Sequence, residues 1–465
     1  MRRLALVLAV GSGLVLAQTL QSGDYLGTIQ MGVTTLRMAL HLAQSPDGSW
    51  GGTIDSIDQG AMGIPVRNLT LDDKGVVRFG NFEGTANADG SEISGHLTQG
   101  GTAVPIVFRK VTKIEGPARP QMPQRPYPYN EEDVEYDGAG VHIAGTLTWP
   151  KAGGPFAAAI LLNGSGLLDR DETMFGHKPF LVLADYLTRL GFAVLRTDSR
   201  GAGKSTGSVA RSTFEDLAQD ASAAAAFLRT RKEIDPKHVG FIGHSEGGWI
   251  APMAALQAGG AFVILLAGPG VRGDELLYEQ GQAVLKAVHA APNVLERQGQ
   301  LQRLLFGAVL AERDPEKIEA RLRAAIAQFK ASLTPEELAA TPGFDQQMEG
   351  EVRRWMIPAM QSLLRHDPKP YLMKLECPVL AIFGTLDTQV PARQNVPAIA
   401  ETLAQGQVAD YEIVDLPNLN HLFQTARIGA VQEYAMIEET MAPLALETIG
   451  EWLKSRFLTT ERRAR

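Results

Sequence analysis

The sequence predicts an α/β fold in which a mostly parallel sheet, covered by helices, carries an inserted helical cap and follows a small all-β domain. Short continuous apolar runs alternate with helical stretches over the C-terminal part of the 465 residues, as in sheets buried on both faces. Strand signals vanish between about 271 and 375 and then resume. The region 24–112 instead alternates with period two, which predicts antiparallel strands.

Composition narrows the class of protein. With 45% hydrophobic and 21% charged residues, the chain has a globular composition and is long enough for two or three packed domains. A net charge of -8 argues against a nucleic-acid partner, whose phosphates select a basic surface. Cys377 is the single cysteine, so an internal disulfide and a cysteine-based zinc cluster are excluded. Because Cys377 precedes an apolar run, we expect an inert core thiol.

The first 17 residues have the pattern of a secretory signal. Arg2 and Arg3 precede an apolar stretch over 4–16, which ends in a small residue at Ala17. The alternative is an N-terminal membrane anchor, but about 13 apolar residues are too few to span a bilayer comfortably. We therefore expect cleavage before Gln18, export to the periplasm or the exterior, and no stable membrane span afterwards.

The small all-β domain shows the alternation clearly, and turn signals at 46–48 and 87–90 separate its strands. The alternating apolar residues include Leu36, Met38, Leu40 and Leu42. A sandwich or a small closed barrel is the expected architecture. His41 and His96 stand alone in the sequence, so no chemistry is evident in this domain.

A proline-rich linker over 113–133 separates this domain from the second one, which we place at 134–465. The second domain opens with an edge strand over 141–147. Its continuous apolar runs predict strands at 157–162, 193–195, 239–242, 262–266 and 379–383. Helical stretches are predicted at 180–190 and 214–229, and within the cap at 318–329 and 352–364. Because strands resume at Val379, an insertion between two strands is preferred to an independent helical domain.

The pentapeptide Gly243-His244-Ser245-Glu246-Gly247 lies between a predicted strand and a helical stretch. Its G-x-S-x-G spacing alone can arise by chance, but strand, turn and helix follow in the order of a nucleophile elbow. A serine on such a strained turn needs small neighbours, and Gly243 and Gly247 meet that need. Pro252 removes one helical N–H and is expected to kink the following helix. The sequence therefore predicts a serine hydrolase with Ser245 as nucleophile.

The base is found by elimination. An activated serine needs a histidine to accept its proton, and in this fold the histidine follows the serine in the chain. Only His289, His366 and His421 lie beyond Ser245. The first two fall within the cap, whereas His421 follows the strand-like stretch 411–414. We predict that His421 is the base.

The acid is predicted to be Asp387, which leaves the predicted strand 379–383 on a short loop. A carboxylate there can meet a histidine from the next strand and fix its tautomer. Asp274 or Glu275, after the preceding strand, is the alternative placement. Asp415 lies too near the strand of His421 to orient its ring.

Backbone donors for a tetrahedral oxyanion are predicted at two N–H groups. One belongs to Glu246, directly after the nucleophile, and the other to Ser165 in the glycine-rich loop 163–166, with Gly164 as the fallback. A second cluster, Gly201 to Ser205, ends like a phosphate-binding loop. Asp198 stands where that motif needs its first glycine, so nucleotide binding is excluded.

Together these stretches resemble the α/β-hydrolase superfamily, and within it the exported two-domain carboxylesterases with a β N-terminal domain and a helical cap. The resemblance covers about 135–460 and is carried by 163–166, Asp169-Arg170-Asp171-Glu172, 198–205, 243–247, 384–387 and 420–421. It implies hydrolysis of small-molecule carboxylic esters with short acyl chains, through an acyl-enzyme on Ser245, without metal or organic cofactor. It also implies that the 198–205 loop is structural and that Arg200 supports the oxyanion loop.

Three other functions stay open on the sequence. An exported peptidase, including an aminopeptidase-like one, shares this triad and differs in what the cap admits, and an acyltransferase differs only in the acceptor. A protein that binds a ligand or a surface through its β domain is the non-enzyme alternative. Natural substrate and oligomeric state are left undetermined.

Overall fold

The computed structural model describes residues 20–31, 34–59, 61–72, 74–99, 102–114 and 116–458. The chain divides into two compact units, Met1–Gly116 and Pro117–Arg465, which are described separately. The predicted signal segment 1–17 lies outside the described residues. No helix in the described ranges combines the length and the apolar character that crossing a bilayer requires.

The N-terminal unit is one antiparallel sheet of nine strands within the described residues. The strands are β1 (Gly23–Met31), β2 (Thr34–Gln44), β3 (Trp50–Ser56), β4 (Ala61–Pro65), β5 (Thr70–Leu71), β6 (Val76–Phe79), β7 (Phe82–Ala86), β8 (Glu92–Gln99) and β9 (Thr102–Val111). Their order is β4-β3-β2-β1-β9-β8-β7-β6-β5. The all-β prediction is confirmed, but a sandwich or closed barrel is wrong. Every consecutive pair of strands except β4 and β5 is hydrogen-bonded, and β1 also pairs with β9, so β4 and β5 are the two edges of one open sheet in the described residues.

The second unit contains an eight-stranded sheet, mixed but mostly parallel. Its strands are β10 (Tyr129–Asp137), β11 (His142–Pro150), β12 (Phe156–Leu162), β13 (Ala193–Thr197), β14 (Ile234–His244), β15 (Val263–Leu266), β16 (Val379–Gly384) and β17 (Tyr411–Leu416). The order is β10-β11-β13-β12-β14-β15-β16-β17, and only the pairs β10-β11 and β11-β13 are antiparallel. The edge strand is β10, which includes the last five residues of the predicted linker. The strand predicted at 141–147 lies one position inside.

Five helices connect or follow these strands: α1 (Pro179–Leu190), α2 (Phe214–Arg229), α3 (Gly247–Ala258), α11 (Ala392–Gln405) and α12 (Pro443–Phe457). Helix α2 begins where predicted because Thr213 and Asp216 form a reciprocal capping box. Helix α3 continues through Pro252 to Ala258. Strands β15 and β16 are buried along their whole length and β14 over its last six residues, as their unbroken apolar sequences require.

The cap follows β15 and consists of α4 (Gly273–Ala287), α5 (Pro292–Leu310), α6 (Pro315–Ser332), α7 (Pro335–Ala339), α8 (Phe344–Trp355), α9 (Pro358–Arg365) and α10 (Lys369–Leu372). The single helical stretch predicted at 352–364 is wrong. Pro358 starts a new helix there, because proline disfavours helical geometry in the residue before it and fits the first helical position. The cap has a core of its own that includes Phe306, Leu322 and Trp355.

Candidate active site

Ser245 lies on a strained turn between β14 and α3. Its φ is 54°, in the left-handed region that a non-glycine residue occupies at a cost of about 1–3 kcal/mol. A Cβ on Gly243 would stand 2.0 Å from the carbonyl oxygen of Gly247, and one on Gly247 would stand 2.2 Å from that of Leu162. No side chain fits at either position, so the two glycines are required by the close approach of neighbouring backbone.

Asp387 and His421 meet through a 2.8 Å contact between Oδ2 and Nδ1. Their side chains are almost fully buried, at 0% and 5% exposed. The other carboxylate oxygen, Oδ1, accepts the N–H groups of Gln389 and Val390 at 2.7 and 2.8 Å. These donors fix the carboxylate in the turn after β16, so that Oδ2 is left to orient the imidazole.

Nε2 of His421 makes no hydrogen bond to protein in the described part of the chain, and its ring lines the same cavity as Ser245. No hydrogen bond joins Ser245 Oγ to His421 among the described side chains. The competing acid Asp274 bonds Arg272 at 3.1 Å instead. His366 stacks among Phe214, Trp249 and Tyr371, where burial lowers its pKa to about 4.

The predicted oxyanion loop, 163–166, follows β12. The N–H of Gly164 donates to Glu172 Oε1 at 2.8 Å, so the fallback donor is already occupied. The N–H groups of Ser165 and Glu246 have no acceptor within the ranges that the structure describes. The two residues are joined directly, because Ser165 Oγ donates to Glu246 Oε2 at 2.9 Å. Desolvation raises the pKa of the Glu246 carboxyl to about 7, although the hydrogen bond from Ser165 opposes the shift.

A buried pair that the sequence reasoning missed lies beneath these loops. Nδ1 of His244 is 2.8 Å from Glu172 Oε1, and its Nε2 is 3.0 Å from the carbonyl oxygen of His421. Glu172 was noted only as part of the run that resembles the superfamily, and His244 only as the residue before the serine. The presence of an acid at 169–172 was the one feature of the sequence that could have indicated this pair. Hydrogen-bond partners 72 positions apart leave no local pattern.

The expectation for Arg200 is wrong. Its guanidinium bonds Asp220, with Nε and Nη2 at 2.5 and 2.9 Å from the two carboxylate oxygens, and does not reach the oxyanion loop. The loop is tied instead through Asn163, whose Nδ2 donates to Ser199 Oγ at 3.2 Å. Thus the 198–205 loop supports the site through Ser199, while Arg200 anchors it to α2.

Two cavities adjoin in this unit. The first, of about 380 Å³, is lined by Ser245 and His421 and by apolar side chains that include Trp249, Leu276 and Leu363. The second, of about 770 Å³, lies mostly among the cap helices, where apolar side chains such as Leu305, Phe306 and Trp355 line it together with five glutamines: Gln280, Gln298, Gln302, Gln347 and Gln389. Five residues line both cavities: Leu277, Gln280, Arg354, Gln389 and Val431. Ser245 thus faces a largely apolar chamber that borders a larger one of mixed apolar and glutamine lining.

No cluster of three or more histidine, cysteine or acidic side chains suited to a metal ion occurs among the described residues. Cys377 is partly buried, and burial raises the pKa of its thiol to about 11, so it is not a thiolate near neutral pH.

The sequence around this site is similar to a known family and to two known proteins. Residues 178–424 match the family model described as serine aminopeptidase, S33. Esterase EstD of Thermotoga maritima is 30% identical over 257 residues, which cover 51% of this chain and 60% of EstD. An uncharacterized protein of Mycobacterium tuberculosis is 31% identical over 126 residues, or 27% of this chain and 41% of that protein. The chain thus spans less than two thirds of the length of these relatives.

Among solved structures, the esterase Pf2001 of Pyrococcus furiosus aligns with a TM-score of 0.43 at 16% identity, over 71% of this chain and 92% of that one.

Proposed function

The chain belongs to the serine aminopeptidase S33 family, and we propose that it hydrolyses carboxylic esters through an acyl-enzyme on Ser245. The observation that carries the proposal is the buried contact between Asp387 and His421 beside the cavity that Ser245 lines, with two N–H groups at its rim that have no acceptor among the described residues. The similarity to esterase EstD supports ester bonds as the target.

In the proposed reaction, Ser245 Oγ attacks the ester carbonyl while Nε2 of His421 takes its proton. The N–H groups of Ser165 and Glu246 stabilise the oxyanion that forms. Asp387 holds Nδ1–H and stabilises the imidazolium. His421 then gives the proton to the departing alkoxide oxygen, and the acyl group stays on Ser245. Water, deprotonated by His421, attacks the acyl-enzyme and releases the acid.

The nucleophile is tested with Ser245→Ala. We expect hydrolysis of p-nitrophenyl acetate to be abolished with no change in the unfolding midpoint, and a fluorophosphonate probe to label the wild-type protein but not the variant. Ser222→Ala is the matched control, since Ser222 lies on α2 and bonds Gln257 at 2.9 Å, outside the cavity. An active Ser245→Ala protein would overturn the assignment.

Short acyl chains form part of the proposal, because the chamber beside Ser245 is the smaller of the two and is largely apolar. The larger chamber, with glutamines as well as apolar side chains in its lining, is assigned to the alcohol portion of the ester. We expect kcat/KM to be higher for p-nitrophenyl acetate and butyrate than for the decanoate. Preference for the decanoate would reject this assignment while leaving ester hydrolysis in place.

A peptidase is the second candidate, and the description of the matching family favours it. The same nucleophile, base and oxyanion donors would serve an amide, with the leaving amine protonated by His421. Aminoacyl p-nitroanilides compared with p-nitrophenyl acetate decide between the two. Faster turnover of the anilides would replace the ester proposal with the peptidase.

Export is proposed as well, on the charge and apolar pattern of residues 1–17. Fractionation of cells that express the full chain tests it. We expect activity outside the cytoplasm, and its retention inside when Arg2 and Arg3 are replaced by glutamate. Equal retention of both proteins in the cytoplasm would reject export.

A further inference from the structure

We propose that His244, the residue before the nucleophile, is a buried imidazolium paired with Glu172, and that this ion pair positions the oxyanion loop and the base loop together. The proposal rests on the proposed function, and it assigns a role to two side chains that the reaction itself does not use. Both are positioning residues, because neither lines up with the reacting atoms as donor or base.

The charge of His244 follows from what its two nitrogens meet. Nε2 is 3.0 Å from the carbonyl oxygen of His421, which can only accept, so Nε2 carries a proton. Nδ1 is 2.8 Å from Glu172 Oε1, and the same oxygen accepts the N–H of Gly164. An amide donor favours the ionised carboxylate, and an imidazole is the stronger base of the two by reference pKa, about 6.5 against 4.3. Both nitrogens therefore carry protons, and the ring is cationic.

The surroundings of the ring sustain this charge. Burial alone would lower the pKa of His244, but the charge of Glu172, its hydrogen bond, the carbonyl of His421 and the more distant Asp387 together raise it above the usual value. The side chains of His244 and Glu172 are 5% and 1% exposed, so neither charge can be solvated by bulk water. A charge this deeply buried is tolerated only beside its partner. Removal of either residue would leave the other one buried and unpaired.

This pair connects three segments that meet at the nucleophile. Glu172 holds the N–H of Gly164, which leaves the next N–H, that of Ser165, unpartnered for the oxyanion. His244 precedes Ser245 and holds the backbone of His421 through its carbonyl. Glu172 itself has a φ of 54°, so the chain accepts a strained backbone at the residue that carries the carboxylate. One ion pair thus sets the distance between the base and the oxyanion donors.

The charge state is measured directly by NMR of full-length protein labelled with ¹⁵N-histidine, with the His244 signals assigned by their loss in His244→Gln. We expect both ring nitrogens of His244 to show imidazolium shifts and to stay unchanged from pH 6 to pH 8. A neutral or titrating ring in that range would overturn the proposal. The measurement needs no substrate, so it stands apart from the proposed function, which fails instead if Ser245→Ala is active.

Positioning is tested with Glu172→Gln, which keeps the size of the side chain and removes its charge. We expect kcat to fall about tenfold to a hundredfold with KM within about twofold, because misplaced groups lose transition-state rather than ground-state contacts. The His244 signals should also change to those of a neutral ring. An unchanged kcat, or a loss confined to KM, would overturn the positioning role.

The matched control is Asp235→Asn. It removes the carboxylate from another histidine pair, in which Asp235 Oδ2 lies 2.7 Å from Nδ1 of His238 on β14. That pair lies outside both cavities, so kcat and KM should match the wild-type values. If Glu172→Gln does not fold, the spectrum of the unaltered protein still decides the charge state.

Discussion

Two histidine–carboxylate pairs lie side by side in the hydrolase unit, with the rings of His244 and His421 4.8 Å apart between centroids. In both pairs Nδ1 is 2.8 Å from a carboxylate oxygen, and in both the side chains are 5% exposed or less. They differ at Nε2. That of His244 meets a backbone carbonyl, whereas that of His421 has no protein partner in the described chain and its ring lines the Ser245 cavity.

The difference shows that a buried acid–imidazole pair is not by itself a catalytic feature. The ring of His244 is buried and has an acceptor at each nitrogen, so it keeps both protons, cannot take another and holds its neighbours in place. A ring with one free nitrogen can accept a proton from a nucleophile. The partner of the second nitrogen therefore separates the proposed base from the positioning residue.

The largest effect is expected at the pair with the free nitrogen. Asp387→Asn presents an amide to Nδ1 and favours the tautomer that protonates Nε2, so the ring can no longer take the proton of Ser245. We expect kcat for p-nitrophenyl acetate to fall by about 10⁴, the order found when the acid of a serine triad is made an amide.

Asp274→Asn is the matched control, because Asp274 follows the preceding strand and its carboxylate bonds Arg272. Its kcat should stay within about twofold of the wild-type value. A large loss of kcat in Asp274→Asn with a small loss in Asp387→Asn would identify Asp274 as the acid and contradict the role assigned to Asp387.

The double variant Glu172→Gln/Asp387→Asn measures how far the two pairs depend on each other. If the Glu172–His244 pair acts through the placement of His421, part of its effect depends on a working base. We expect Glu172→Gln to lower kcat by a smaller factor in the Asp387→Asn background than in the wild type, since residues that act as a unit are not additive. Equal factors in both backgrounds would mean that the pair acts only through the oxyanion loop.

The sequence predicted the members of this site that follow local patterns. Ser245, Asp387 and His421 lie in the segments that follow β14, β16 and β17, and the carboxyl ends of such strands share one edge, where the structure brings the three residues together. The strands predicted at 157–162, 193–195 and 379–383 and the helix predicted at 214–229 match the structure to within about two residues for the same reason, since apolar runs and capping residues are local.

What the sequence did not predict depends on contacts between distant positions. Glu172 and His244 are 72 residues apart, and no periodicity marks a hydrogen bond between them. Arg200 was assigned to the oxyanion loop by resemblance, whereas its charge is compensated by Asp220 on α2. Strand β10 was missed because its residues are mostly polar, with only Tyr129, Val134 and Tyr136 buried along its nine positions.

A smaller effect is expected at Glu246, whose carboxyl accepts from Ser165 beside the proposed oxyanion donors. Desolvation raises its pKa to about 7, so the group is neutral below that pH and negative above it. A negative charge there opposes the oxyanion. The ratio of kcat/KM for Glu246→Gln over the wild type should therefore rise a few-fold from pH 6 to pH 9.

Glu275→Gln, on the exposed side of α4, supplies the control, and its ratio to the wild type should be the same at both pH values. A Glu246→Gln ratio that is flat with pH would show that the carboxyl has no electrostatic effect on the reaction.

The smallest effect concerns a third histidine, in the β unit, which the sequence left without a partner. Nδ1 of His41 lies 2.8 Å from Asp24 and Nε2 lies 2.9 Å from Asp55. Burial lowers the pKa of His41, but the hydrogen bonds and charges of both carboxylates outweigh this and raise it. Because the folded pKa is the higher one, the stabilisation is fully present below about pH 6.5 and is lost as the pH rises through the folded value.

Hydrogen exchange of β2 amides in the whole chain, corrected for the intrinsic rate, measures this loss. With His41 about one third exposed, solvent screens the pair, and we expect protection to drop only about twofold between pH 6 and pH 8. His41→Gln should remove the drop, whereas His96→Gln, on β8 and three strands from β2, should retain it. Equal protection at both pH values in the wild type would show that the charge of the partly exposed His41 does not stabilise β2, in contrast to the buried pair at His244.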